Sequence, residues 1–504
     1  MKTINQNTQQ KIGFFIKNLR EERGLTQVSF AKELATSQSA VARMEAGNQN
    51  FSTQQLSKIS KILNRKILTL TESLDFEIRG GKKLSGSITT NFSKNGSVVL
   101  LCAALLNKNK TILHGISKIE EVYRLIEVIE SIGVSVRWTE QNSVEIIPPS
   151  KFTINHLNRD VFVKIRAGLM LIGVLAHRET KFTLPRTGGC KMGNRTIAAH
   201  KYGLEKLGIN ITTWKDCYKI QTKKLKSSEV VMYEAGDTAA NNLLMAAALI
   251  PGKTIIRFAP PNYQVQELCF FLEKMGIRIE GIGTTNLTVH GISHFDKPLE
   301  YHNSEDPIES MMFISAAATT NSKLKIQRCP IDFLLVELLK LEKMGLKFSL
   351  SSKYKSYNGR TDLVDITVFP SKLKALTDKM HALPYPGINS DNLPFFAPIA
   401  TQAHGTTLIH DWMWENRAIY FTELNRLGAQ VMLADPHRIF ITGKTKLKAG
   451  QIVCPPALRP AMIILIAMLA AEGTSILRNV YSINRGYETI ASRLNSIGAD
   501  IRTI

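Results

Sequence analysis

One pattern recurs six times along the chain and leaves few folds open to it. In each copy an apolar helix ends in small residues and a β-rich stretch follows: KTILHG, KFTLPR, KTIIRF, KLKIQR, TTLIHD and TSILRN. A second helix in each copy closes on an apolar residue plus glycine, at Gly133, Gly208, Gly276, Gly345, Gly428 and Gly498, before another strand begins. Glycine suits that place because a helix commonly ends in the left-handed region, which costs glycine nothing. The period of roughly 70 residues is too long for a solenoid unit. Each copy is therefore a small βα-containing subdomain, and the six must pack around shared cores.

A chain of 504 residues is too long for one ordinary core. No run of about 18 uncharged apolar residues occurs, which excludes an evident membrane span. The start, MKTINQNTQQKIGFF, is polar and lacks the apolar centre of a signal peptide, so the expected location is the cytoplasm. Six cysteines without a CxxC pair fit neither a disulfide framework nor a zinc site, and most are expected to be buried, reduced thiols. The formal charge of +22 predicts anionic partners, either nucleic acid or phosphorylated small molecules.

The first block departs from the repeat. Ile12, Phe15, Ile16 and Leu19 are spaced for a helix; Gly24 follows, and Thr26 caps a second helix carrying Val28, Ala31 and Leu34. A third begins after Ser37, turns Val41 and Met44 inward and stops near Gly47. With GLTQ, SQSAVARMEAG and STQQLSKISKIL, residues 8–66 resemble the lambdoid-repressor-like (XRE) helix-turn-helix family. One departure is Ala35, where that family often has glycine in the turn. The first 70 residues hold eleven Lys/Arg against four Asp/Glu, the footprint of a duplex binder. The resemblance implies DNA binding through Gln27, Gln38, Ser39 and Arg43 at or near a recognition helix, and a homodimer on paired half-sites.

Chemistry is expected where the repeats break their own pattern. Lys94 with Asn95, Arg166, Asp391, Arg417, Arg459 and Arg485 fall in segments where the repeat does not require charge. Guanidinium forks match phosphate and carboxylate, so the set points to a phosphorylated, multiply anionic substrate. The stretch PRTGGCKMGNRTIAAH adds a cysteine in a glycine-rich loop, with Lys191 and Arg195 placed to favour its thiolate.

Across residues 76–504 this constellation resembles the enolpyruvyl transferase family, in particular its UDP-N-acetylglucosamine 1-carboxyvinyltransferase branch, which begins peptidoglycan synthesis. The resemblance implies an α/β (α+β) fold of two domains, each of three βα subdomains with helices inside and sheets outside, an inside-out α/β barrel joined by two chain crossings. The expected boundaries are a helix-turn-helix domain at 8–66, a linker at 67–75, one transferase domain from 76–93 plus 305–504, and a second from 94–304.

The implied reaction moves the enolpyruvyl group of phosphoenolpyruvate to an acceptor hydroxyl and releases phosphate. Catalytic roles then fall to Cys190 in a mobile loop, Asp391 near the attacked hydroxyl, and the cations Lys94 and Arg485. Substrate contacts fall to Asn95, Arg166, Arg195, His200, Asp306, Arg417 and Arg459. No metal or nucleotide cofactor is expected, because the chain shows neither zinc-ligand spacing nor a GxGxxG or P-loop run.

The acceptor side departs from that branch. Thr196 and Ala198 stand where it has proline and aspartate, and Glu234, Gly236 and Asp237 occupy a loop that carries lysine and serine. Carboxylates beside a diphosphate repel it, which puts UDP-N-acetylglucosamine in doubt as acceptor. Pro307 replaces an arginine after Asp306, and Ala457 replaces an acidic residue two before Arg459. Three readings stay open: a working transferase with an altered acceptor pocket and a fused DNA-binding module; a metabolite-sensing transcriptional regulator with an impaired enzyme domain; and a peptidoglycan enzyme with an accessory N-terminal module.

Overall fold

The computed structural model describes residues 12–21, 23–48, 53–63, 74–188 and 196–504. The chain divides into two compact units, Met1–Ser73 and Leu74–Ile504.

Among the described residues the first unit holds helices and no strand: α1 over residues 12–21, α2 Gln27–Leu34, α3 Gln38–Glu45 and α4 Thr53–Ile62. Side-chain caps start the two central helices, Thr26 accepting from Ser29 N at 3.1 Å and Ser37 from Ala40 N at 3.2 Å. Ile16, Leu19, Phe30, Val41, Met44 and Ile59 form the core. Two of the apolar residues on these helices face outward. Val28 is 65% exposed and Phe15 is 42% exposed. Phe30, Ala31 and Leu34 set the inward face of α2, and Val28, two residues before Phe30, falls about 200° round the helix from it.

Among the described residues the second unit holds six sheets, and each repeated segment supplies one strand to a different sheet. Thr111–His114, Gly252–Arg257, Leu324–Pro330 and Gly405–His410 each pair antiparallel with a following strand and parallel with a third, and Gly473–Arg478 pairs parallel with Gln451–Val453 and antiparallel with the unit's first strand, Phe76–Gly80. Lys181–Pro185 is the exception. It is an edge strand of a three-stranded antiparallel sheet, and it leads directly into the segment that contains Cys190. All six helix-ending glycines have positive φ, between 81° and 98°.

Sheets lie over helices that are apolar all round. Pro307–Thr319 is buried at every residue and Leu458–Ala470 at all but its ends, as expected of helices enclosed on all sides. Two apolar cores result: one from residues between Val98 and Tyr301, the other from Phe76–Ile88 and Ile308–Ile501, joined by Tyr263. The chain passes between them twice, and the two passages lie side by side. Phe92 and Glu305 form an antiparallel bridge, Ser93 N donates to Ser304 O at 2.7 Å, and Asp306 N donates to Asn91 O at 2.8 Å.

Candidate active site and nucleic-acid interface

The passages between the cores set the first charged group in place. Ser93 caps the helix Lys94–Ala103 by accepting from Gly96 N at 2.9 Å, so Lys94 stands at its first residue. The Lys94 Nζ lies 2.8 Å from Glu121 Oε2. Lys94 holds the Glu121 carboxyl below the usual range against the opposing effect of burial, with Arg485 and Arg459 adding to it. Three cations from three distant segments thus converge on one carboxylate.

A second convergence lies beside it. Arg459, buried at the start of the helix Leu458–Ala470, donates from Nη2 to Asp391 Oδ2 at 3.0 Å and from Nη1 to Tyr487 Oη at 2.7 Å. Burial pushes the Asp391 carboxyl up, but Arg459, Arg417 and Lys94 together outweigh it and leave Asp391 below its ordinary value. It is a carboxylate at neutral pH, able to accept a proton only as a weak base.

Arg417 is fully buried. Its Nε and Nη2 grip both oxygens of Asp411 at 2.5 and 2.7 Å, and Nη2 also donates to Ser390 O at 2.7 Å. Its Nη1 is buried without a hydrogen-bond partner. A guanidinium held rigidly with one donor left over is suited to receive an anionic oxygen.

Other predicted residues take structural duties. Asp306 accepts at Oδ1 from Ile308 N at 2.8 Å and at Oδ2 from Lys94 N at 3.1 Å, so it caps the helix Pro307–Thr319 and fixes the backbone of Lys94. Pro307 sits at the first helical position, where a missing N–H costs nothing. His200 lies in the interior. It is 2% exposed, with Nδ1 3.0 Å from Asn242 Nδ2, and burial followed by the charge of Arg166 pushes it down to about 3. It is a neutral interior histidine that helps to orient Asn242, whose amide also donates to Leu169 O and accepts from Gly173 N.

The expected acceptor side is built from segments far apart in sequence. Asn95 Nδ2 donates to Tyr263 Oη at 2.8 Å, and Arg166 Nη2 donates to Thr196 O at 3.3 Å. Asp237 opens the helix Asp237–Ala248 and accepts at Oδ2 from Asn262 Nδ2 at 2.9 Å and from Gln264 Nε2. Burial pushes the Asp237 carboxyl up to about 6, against the two amide hydrogen bonds and helped by the Asp391 charge. Asn389 Nδ2, 3.4 Å from Asn262 Oδ1, continues this polar chain toward the Asp391 segment. Glu234 is exposed, and Ala457 is fully buried at the N-cap of the Arg459 helix with no side-chain cap. Cys190, Lys191 and Arg195 lie outside the described residues.

Sequence reasoning missed Glu121, Tyr487, Asp411, Tyr263, Asn262 and Gln264. Only Asp306 carried a local signal of its true duty, since Asp-Pro followed by Glu309 is an N-terminal helix signature. The others are partners supplied across the fold.

In the first unit, Gln38, Ser39 and Arg43 are exposed on α3. Gln27 is half-buried and acts as a strut: its Nε2 donates to Glu45 Oε2 at 2.9 Å and its Oε1 accepts from Gln38 Nε2 at 3.2 Å. Glu45 is itself gripped by Arg20 of α1 at 2.5 and 3.0 Å in a buried pair. The exposed row of α3 is therefore oriented by a hydrogen-bonded chain reaching back to α1.

Comparison with known proteins agrees with both geometries. A family described as EPSP synthase (3-phosphoshikimate 1-carboxyvinyltransferase) matches residues 78–494, and one described as Helix-turn-helix matches residues 16–70. The UDP-N-acetylglucosamine 1-carboxyvinyltransferase of Bradyrhizobium diazoefficiens is 33% identical over 439 residues, covering 86% of this chain and 98% of that protein. The protein of the same description from Treponema denticola is 33% identical over 427 residues, covering 85% and 98%. Among solved structures, the enolpyruvyl transferase NikO from Streptomyces tendae superposes with a TM-score of 0.75 at 23% identity, covering 86% of this chain and 99% of that one. An EPSP synthase from Acinetobacter baumannii gives 0.67 at 18% identity, covering 86% and 100%. The inward helices, the six outward sheets and the sequence match agree: the chain belongs to the enolpyruvyl transferase family, with a helix-turn-helix domain fused at its N-terminal end.

Proposed function

We propose that the protein transfers the enolpyruvyl group of phosphoenolpyruvate to a hydroxyl of an acceptor, releasing phosphate, in the cytoplasm. The observation that carries this reading is the cluster of Lys94, Arg459 and Arg417 around the Asp391 carboxylate, with Arg485 joining Lys94 and Arg459 at the neighbouring Glu121. In the addition step the acceptor oxygen bonds to C2 of phosphoenolpyruvate, its proton passes to Asp391, and an acid in the Cys190 loop protonates C3. In the elimination step a C3 proton leaves and the C2–phosphate bond breaks, which restores the double bond and frees phosphate. The cations hold the phosphate and carboxylate through both steps, as electrostatic stabilisation requires.

The relatives named UDP-N-acetylglucosamine 1-carboxyvinyltransferase support a nucleotide-sugar or nucleotide-like acceptor and a place in peptidoglycan biosynthesis. Asp237 argues for an acceptor with less negative charge at that subsite than a diphosphate, because its buried carboxyl repels one. The N-terminal domain binds DNA as a homodimer through Gln38, Ser39 and Arg43, oriented by Gln27.

The deciding experiment is phosphate release from phosphoenolpyruvate with UDP-N-acetylglucosamine and then a panel of nucleotide and sugar alcohols, with Cys190→Ala and Asp391→Asn beside it. Turnover that falls in both variants supports the transferase, and the productive alcohol identifies the acceptor. A second reading, a metabolite-sensing regulator, draws on the uncapped Ala457 and on Asp237. Ligands that bind and shift DNA affinity with no phosphate released would establish it.

A further inference from the structure

Outside the set of residues assigned to the reaction, three potential ligands stand together on two neighbouring strands. Thr111–His114 and Leu299–His302 run parallel, with His302 beside His114 and Glu300 beside Ile112. Side chains two apart on a strand share a face, so Glu300, His302 and His114 project to the same side. Their ligating atoms all lie within 4.8 Å of one another. The His114 Nε2 is 2.8 Å from Glu300 Oε1, and the two imidazoles stack with centroids 4.3 Å apart and planes 18° from parallel.

The surroundings favour the ligand form of these groups. Ser143 Oγ, from the strand on the other side of His114, lies 2.8 Å from its Nδ1. An ion replacing the proton between Nε2 and Glu300 leaves Nδ1–H to donate to that hydroxyl, which is how an outer hydrogen bond fixes a metal-binding tautomer. His302 is half-buried. A pair of stacked imidazoles beside a carboxylate offers two nitrogens and an oxygen to one cation.

We propose that His114, Glu300 and His302 bind one transition-metal dication of the zinc, cobalt or nickel class, with water completing its coordination. Two imidazoles and a carboxylate suit such borderline ions better than magnesium or calcium, which take oxygen ligands. The ion's place in the fold gives it a structural consequence. His302 is followed at once by the second passage between the cores, and Asn303 N donates to His114 O at 3.0 Å while its side chain donates to Gly115 O at 3.0 Å and Ser93 O at 2.9 Å. An ion joining His114 to His302 therefore clips that passage to its sheet. Spacing along the chain hides the site, because its ligands come from strands nearly two hundred residues apart.

The test uses the full-length protein freed of metal with a chelator and titrated with cobalt(II), reading visible ligand-field absorption, and with zinc, reading heat of binding and thermal unfolding. One equivalent is expected to bind and to raise the unfolding temperature. His302→Ala and Glu300→Gln should each weaken binding by roughly tenfold or more and lose the thermal shift, with phosphate release unchanged. A Cys190→Ala protein titrated in parallel separates this site from the loop thiol and should bind as the parent does. Absence of stoichiometric binding, or binding that survives His302→Ala while disappearing in Cys190→Ala, overturns the proposal.

Discussion

Two single residues carry conformational or electrostatic strain that a substitution can relieve. Ala35 ends α2 at φ 52°, ψ 52°, in the left-handed region where a Cβ is unwelcome. Ala35→Gly is expected to stabilise the helix-turn-helix by up to about 1 kcal/mol, read as slower amide exchange in α2 and α3 of the full chain. Asp237 is the second. Its folded pKa of about 6 lies above the ordinary 3.8, so the folded unit binds the proton more tightly than the unfolded chain and loses stability as pH rises from 3.8 through 6. Asp237→Asn should therefore stabilise the larger unit by up to about 3 kcal/mol above pH 7, with the gain shrinking as pH falls toward 3.8. Thermal unfolding of both proteins across that range measures it. The same substitution should lower the KM for a phosphorylated acceptor if the carboxylate faces it; an unchanged KM would place the acceptor elsewhere.

At the level of elements, α3 depends on a partner supplied by α1. The Arg20–Glu45 pair is buried, and removing one member of such a pair typically costs about 3–5 kcal/mol because the other charge is left alone. Glu45→Ala should unfold or loosen the first unit and abolish DNA binding, whereas Arg43→Ala should keep the fold and reduce the salt dependence of DNA affinity by about one unit of slope. Measuring operator affinity over a range of salt for both variants separates the two effects. In the larger unit the helix Leu458–Ala470 is enclosed on all sides and carries Arg459 at its start. Met462→Ala is expected to cost about 2–5 kcal/mol and to lower turnover more than a surface change of equal size, since it loosens the support of the Arg459–Asp391 contact.

For the whole molecule the question is whether the two units communicate. If substrate closure changes the geometry of a dimer, operator affinity will differ with and without phosphoenolpyruvate and acceptor. Equal affinities would mean that fusion only brings the two activities onto one chain. Sedimentation of the full chain, alone and on a two-half-site duplex, gives the oligomeric state on which that comparison depends.

The sequence by itself determined the six-subdomain plan and the recognition helix, because both are written locally: strand segments, helix-ending glycines and cap residues act on their own neighbours. It also marked Lys94, Asp391, Arg417, Arg459 and Arg485, since each breaks a pattern that the repeat otherwise keeps. Only the tertiary structure decided what those residues meet. Glu121 beside Lys94, Tyr487 on Arg459 and Asp411 around Arg417 come from different segments, and no periodicity records such pairings. Burial decided the rest. It made His200 a neutral interior strut and raised Asp237, because desolvation is a property of the packed surroundings and no residue carries it in its own letter.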